Sequence, residues 1–184
     1  MAEHWLAGRL LVSAPTMRDP NFARTIVLLL AHGHDGALGI VLNKPSETTL
    51  AEVVPSWAGY AAEPEVVFAG GPVEADGAMG IGYAPDGARP GVTPVAGPLA
   101  IVDLAHDPED HPDLARRVRV YVGHAGWSPG QLEAEIAANG WLVVPAIPHD
   151  AYTGSPDDLW RAVLVRQQGS VAWLANCPPD PSVN

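Results

Sequence analysis

The chain has a single cysteine, Cys177, in 184 residues. One thiol excludes an internal disulfide framework and any CxxC metal site. Basic residues are also scarce: 10 Lys and Arg stand against 21 Asp and Glu, a formal net charge of −11. Nucleic-acid affinity rests on Lys and Arg displacing counterions from phosphates, so this balance argues against direct DNA or RNA binding. No apolar run is long enough to span a bilayer and no secretory leader is visible, so the sequence reads as soluble and cytoplasmic, with no membrane partner. Charged residues make up 17% against 47% hydrophobic ones, which favours a packed core over disorder. The length fits one domain, residues 1–184, and is short for two.

Glycine and proline are plentiful, 19 of each, and they divide the chain into short elements. Residues 9–14 (RLLVSA) read as a strand closed by Pro15. Residues 25–32 (TIVLLLAH) and 37–44 (ALGIVLNK) flank Gly33-His34-Asp35-Gly36 as a β-hairpin. Both arms are too uniformly apolar for one face to be wet, which places the hairpin in the middle of a sheet. Thr49, with Glu52 three residues on, opens a short helix that Pro55 stops. Strands are expected at 65–69, 78–84 and 99–104, and the Pro/Gly-rich stretch before residue 99 reads as a mobile loop. An acidic segment, 107–113, leads to a helical turn at 114–117. Ser155-Pro156-Asp157-Asp158 starts a helix ending at Gly169, and 170–176 reads as a last strand before a Pro-rich tail.

Residues 118–147 carry the most local information. Val118, Val120 and Val122 alternate with Arg119, Tyr121 and Gly123, a strand expected to end near Gly123. Ser128 stands three residues before Gln131, the spacing of a capping box, with Pro129 at the first helical position. Trp127 and Leu132 occupy the staple positions on either side of the cap. Glu133 and Glu135 suit the positive end of the helix dipole, Asn139-Gly140 stops the helix, and 141–147 is the returning strand.

Several constellations suggest chemistry. Gly126-Trp127-Ser128-Pro129-Gly130 is a literal G-x-S-x-G between strand and helix, as in the nucleophile elbow of α/β-hydrolases. The residue after that nucleophile must donate its N–H to an oxyanion, and Pro129 has none. His149 is the only later histidine, and the carboxylates before it, Glu133 and Glu135, lie on the helix the elbow would start. Ser128 therefore reads as a cap. His32, His34 and Asp35 at the hairpin end have the donor types of a metal site, but they do not supply the four ligands of structural zinc. Asp103, His106, Asp107, Glu109, Asp110, His111 and Asp113 fit no EF-hand spacing and read as a solvated loop. Cys177 has no neighbouring base. Gly70-Gly71, after a strand, lacks the surroundings of a phosphate loop and reads as a tight sheet corner.

Taken together, GRLLVSAPTMRDPNFARTIVLLLAH (8–32), GALGIVLNKP (36–45), AGGPV (69–73) and GHAGWSPGQLEAEIAANGWL (123–142) resemble the YqgE/AlgH family of bacterial proteins nearly end to end. The closing DPSVN (180–184) resembles the tail of actinobacterial members. The resemblance implies an α+β fold whose bifurcated, mixed or antiparallel sheet is partly closed like a small barrel and surrounded by short helices. It brings no established activity, although some members are labelled transcriptional regulators. His32, Asn43, Gly70, Gly71, Gly126, Trp127, Gly130, Gln131 and Glu135 fall on the family's motif positions. Many members follow GGPV with an Arg and a strand ending in Leu-His, where this chain has EADGAMGIGYAP.

The leading reading is a non-catalytic cytoplasmic protein that needs no cofactor or metal and acts through a protein partner or a small ligand, with an indirect regulatory role. Its expected surface joins His32, Asn43, Gly70, Gly71, His124, Trp127 and Gln131. The competing reading is a metal-dependent hydrolase using His32, His34 and His124 with Asp35 as ligand or base. A third, a regulator binding DNA directly, conflicts with the charge. The sequence sets no oligomeric state.

Overall fold

The computed structural model describes residues 5–179; the DPSVN tail lies outside them. Ten strands form one sheet: β1 (Arg9–Ser13), β2 (Ile26–Gly33), β3 (Gly36–Val41), β4 (Pro45–Thr49), β5 (Val66–Ala69), β6 (Val73–Tyr83), β7 (Val92–Ala96), β8 (Leu99–Val102), β9 (Val118–Trp127) and β10 (Trp141–Pro145). The main path runs β10-β1-β2-β3-β9-β6-β8-β7, and β4 and β5 branch from it. The hairpin β2–β3 closes with Gly33 opposite Gly36 and sits inside the path, as its apolar arms predict. Ile26, Val27, Leu28 and Leu29 are all buried, because helical residues pack on both faces of the strand: Leu159, Trp160 and Val163 belong to the core of Ile26 and Leu28, and Leu132 to that of Val27 and Leu29. The result is an α+β half-barrel with a mixed sheet, since β5 pairs with β9 in parallel.

The branch lies at Gly123. One edge of β9 pairs with β5 at Tyr121 and Val122, then with β3 from Ala125 to Trp127. Between these, Gly123 takes φ 74°. A strand reading that stops near Gly123 is therefore corrected: the strand bends there and continues to Trp127. A Cβ on Gly71 would lie 2.2 Å from the His124 carbonyl carbon, and one on Gly70 2.3 Å from the Gly123 oxygen. Only glycine lets the two backbones cross this closely. Gly70-Gly71 is thus a sheet corner. Opposite the bend, β6 bulges between Val73 and Ala78.

The helices are α1 (Leu50–Val53), α2 (Gln131–Ala137), α3 (Leu159–Val165) and α4 (Ser170–Trp173). Thr49 and Glu52 cap α1 as their spacing predicts, the Glu52 carboxylate accepting from the Thr49 N–H at 2.8 Å. Two elements depart from expectation. The stretch read as a mobile loop contains β7, paired with β8. Residues 170–176, read as a strand, are helical. Val171, Leu174 and Ala175 pack on the core at the i, i+3, i+4 spacing of a helix, while Trp173 is exposed. Among the described residues no helix is long and apolar enough to cross a membrane.

Candidate functional site

The cap of α2 differs in detail from its prediction. The Gln131 side chain accepts from the Ser128 N–H at 3.0 Å, the expected half of a capping box. The Ser128 hydroxyl does not accept from the helix; it donates to the same Gln131 oxygen at 3.1 Å. Gly130, at φ 76°, becomes the N-cap, so Pro129 precedes the helix instead of occupying its first position. A left-handed residue inserted between serine and helix redirects the backbone, and Gln131 N–H then bonds the Ser128 carbonyl at 3.0 Å. With its hydroxyl donating to an amide oxygen and no imidazole among its partners, Ser128 has no activated nucleophile geometry.

His32 is a structural bolt. Its Nδ1 accepts the Leu6 N–H at 3.1 Å, which leaves the proton on Nε2 to be donated to Glu133 at 2.8 Å. The side chain is 4% exposed, and Trp5 packs edge-on against both His32 and His34. The Glu133 carboxyl is held below its usual range by the N–H at the helix start first and by His32 second. Both ring nitrogens of His32 are engaged, so this imidazole presents no lone pair to a metal. Among the described residues no group of three or more His, Cys, Asp or Glu is placed to hold one. His124 packs near Glu74, 4.0 Å from its carboxylate, and lies on the opposite face of β9 from Trp127 by strand alternation. The hydrolase set His32, His34, Asp35 and His124 therefore does not assemble.

Asn43 serves elsewhere. Its amide oxygen accepts the Ile26 N–H and its nitrogen donates to the Arg24 carbonyl, both at 2.9 Å, clamping the backbone at the end of β3 away from the hairpin tip.

What does assemble is a cluster around Glu135. The indole N–H of Trp127, at the end of β9, and that of Trp141, at the start of β10, both donate to Glu135 Oε2, at 2.9 and 2.8 Å. Gln131, one turn earlier on α2, donates to Oε1 at 2.9 Å. The two indoles meet at 78° with centroids 6.1 Å apart, and Phe22 from the β1–β2 loop packs edge-on against Trp141 at 5.5 Å. Met17, Asp19, Phe22, Gly126, Trp127, Gln131, Glu135, Ala138, Gly140 and Trp141 enclose a cavity of about 310 Å³. Trp127 and Gln131 of the predicted surface belong to it; His32 lies beyond the helix start, and Gly70, Gly71 and His124 lie at the fork. Phe22, Asp19 and Trp141 were not predicted. Their signal was indirect: an indole N–H only donates, so two buried tryptophans flanking one helix require an acceptor on it.

Further hollows lie elsewhere among the described residues. Two of about 390 Å³ flank His32 at the hairpin end. One of about 300 Å³ at the fork is lined by apolar residues of β5 and β9 with Ser46 and Thr48.

The sequence model of the AlgH-like family matches residues 10–172. The chain belongs to that family. AlgH-like relatives include a UPF0301 protein of Streptomyces avermitilis, 45% identical over 97% of this chain and 95% of its own length. A UPF0301 protein of Mycobacteroides abscessus is 41% identical over 97% of this chain and 88% of its own. Among solved structures, a Corynebacterium diphtheriae protein superposes with a TM-score of 0.88 at 30% identity, over 96% of this chain and 94% of its own. The AlgH protein of Pseudomonas aeruginosa superposes with a TM-score of 0.70 at 29% identity, over 96% of each chain. The function of these UPF0301 proteins is not established.

Proposed function

We propose that this AlgH-like protein is a non-catalytic cytoplasmic binding protein, acting through a protein partner or small ligand held in the Glu135 cavity, with an indirect regulatory role. The observation that carries the reading is the convergence itself. The β1–β2 loop and the segment from β9 through α2 to β10, two of the stretches behind the family resemblance, form the walls of one apolar-lined hollow whose polar groups converge on it. Such a composition is that of a recognition pocket. Catalysis finds less support, because Ser128 lacks a base and His32 has no free ring nitrogen.

Ala138 is exposed and lines the cavity, so Ala138→Trp plugs it without entering the core. Wild type and Ala138→Trp, each purified from the native host, are compared for co-purified small molecules and stoichiometric partners. A species present on wild type and absent from the variant is expected. Identical complements on both would remove the cavity from consideration.

A further inference from the structure

The cavity contains an electrostatic imbalance. Its lining includes two carboxylates, Asp19 and Glu135, and no Lys, Arg or His. The donors on Glu135 are the two indoles and the Gln131 amide, all neutral, so they orient the carboxylate without cancelling its charge. Neither carboxylate has an ion-pair partner within 4 Å among the described residues; Lys44 feels the charge of Asp19 through space, but its ammonium donates to the Pro20 and Asn21 carbonyls. A carboxylate beside aromatic and thioether walls, without an ion-pair partner, selects for a cation carried on an apolar stem.

The acceptor count narrows the cation. A carboxylate offers about four lone-pair sites. Both on Glu135 Oε2 are spent on indoles and one on Oε1 is spent on Gln131, which leaves a single site. An arginine fork needs two parallel acceptors on one carboxylate, and Oε2 is closed to it. An ammonium is a point charge with three independently directed donors, so the one remaining site on Oε1 suffices for it, and Asp19, whose second oxygen is not engaged by the Asn21 N–H, adds negative charge to the same cavity. The indoles are 6% and 2% exposed, so the stem meets chiefly Phe22 and Met17.

We infer that the Glu135 cavity binds an alkylammonium group, either on a free amine or on a lysine side chain of a partner. This rests on the binding reading above and specifies the chemistry of the same site.

The test follows indole N–H resonances during titration with n-butylamine, n-butylguanidine and n-butanol at physiological salt. Because a chain of net charge −11 attracts any cation diffusely, the readout must be local. Trp127 and Trp141 are expected to shift and saturate with the amine while Trp57 and Trp160, buried elsewhere, stay still. The alcohol is expected to bind about tenfold more weakly, the guanidine also more weakly. Asp19→Asn, an exposed change that keeps the oxygen serving Asn21, is expected to weaken the amine about two- to fivefold, and Glu135→Gln more. Nα-acetyl-lysine methylamide binding as tightly as butylamine points to a partner lysine; a preference for the free amine points to a small ligand. Equal binding of alcohol and amine, or no effect of Asp19→Asn together with equal guanidine binding, overturns the inference and leaves a pocket of other specificity. If no probe moves Trp127 or Trp141, the binding reading of this cavity falls with it.

Discussion

Removing the Glu135 carboxylate tests whether the cluster is built or incidental. In Glu135→Ala the N–H groups of Trp127 and Trp141, residues 6% and 2% exposed, lose the acceptor they share, the only one they have among the described residues. A buried donor left unpaired costs about 1–3 kcal/mol. Because the cavity adjoins both indoles, water will recover part of this, which puts the expected loss at about 2–3 kcal/mol for the pair. Glu135→Gln keeps one carbonyl oxygen where Oε2 accepts both bonds, so its cost is expected near about 1 kcal/mol. Urea unfolding followed by far-UV circular dichroism measures this directly. With a slope of about 2 kcal/mol/M, Glu135→Ala moves the midpoint down by about 1–1.5 M at unchanged slope, and Glu135→Gln by about half of that or less. In a Trp127→Phe background one orphaned donor disappears, so Glu135→Ala is expected to cost about 1 kcal/mol less than in wild type. A Glu135→Ala midpoint within about 0.3 M of wild type, with no coupling to Trp127, would refute the argument, since the indoles would then be served by water and Glu135 would be a surface charge.

Two further outcomes follow from the other end of the sheet and from the fork. The hydroxyls of Tyr121 and Tyr152 are buried, and burial pushes both phenols above their usual range. A raised folded value means the stability is fully present below about pH 10, where unfolded tyrosine keeps its proton, and is lost as pH rises above that. Two protons released only on unfolding imply a loss of up to about 2.7 kcal/mol per pH unit above pH 10; Tyr152→Phe should roughly halve the slope in denaturant titrations, and an unchanged slope would show that Tyr152 already titrates when folded. Gly71→Ala drives a Cβ to 2.2 Å from the His124 carbonyl, where no rotamer relieves the clash, so a loss of about 3 kcal/mol or more is expected. Gly33→Ala, with nothing within 4 Å of its Cβ, is the control and should melt within a few degrees of wild type; equal effects would mean the crossing is looser than drawn.

Much of the framework was legible because its signals are local. The hairpin around Gly33 and Gly36, the Thr49–Glu52 cap and the reach of Gln131 back to Ser128 depend on residues within one turn of each other. The failures share a cause. Val171 and Trp173 suggested a strand by composition, yet the core contacts at Val171, Leu174 and Ala175 decide for helix, and those contacts depend on where the sheet curls. Gly130 moved the helix start because a left-handed residue was free to become the cap, a choice spacing alone leaves open.

Gly123 is the instructive position, because a glycine in a strand carries the same local signal whether the chain stops or bends. What decides is the partner on its edge. β5 accompanies β9 only to Val122, and β3 is waiting from Ala125, so the strand gains a second set of hydrogen bonds by turning through Gly123 where stopping would forfeit them. That exchange carries Trp127 far enough along the sheet to bring its indole to α2, opposite Trp141 arriving from the other side of the same helix. The glycine crossing and the Glu135 cluster are therefore one construction. Without that turn at Gly123, Trp127 would not reach Glu135, so of the expected surface residues Trp127 and Gln131 line this cavity while His32, Gly70, Gly71 and His124 stand apart from it.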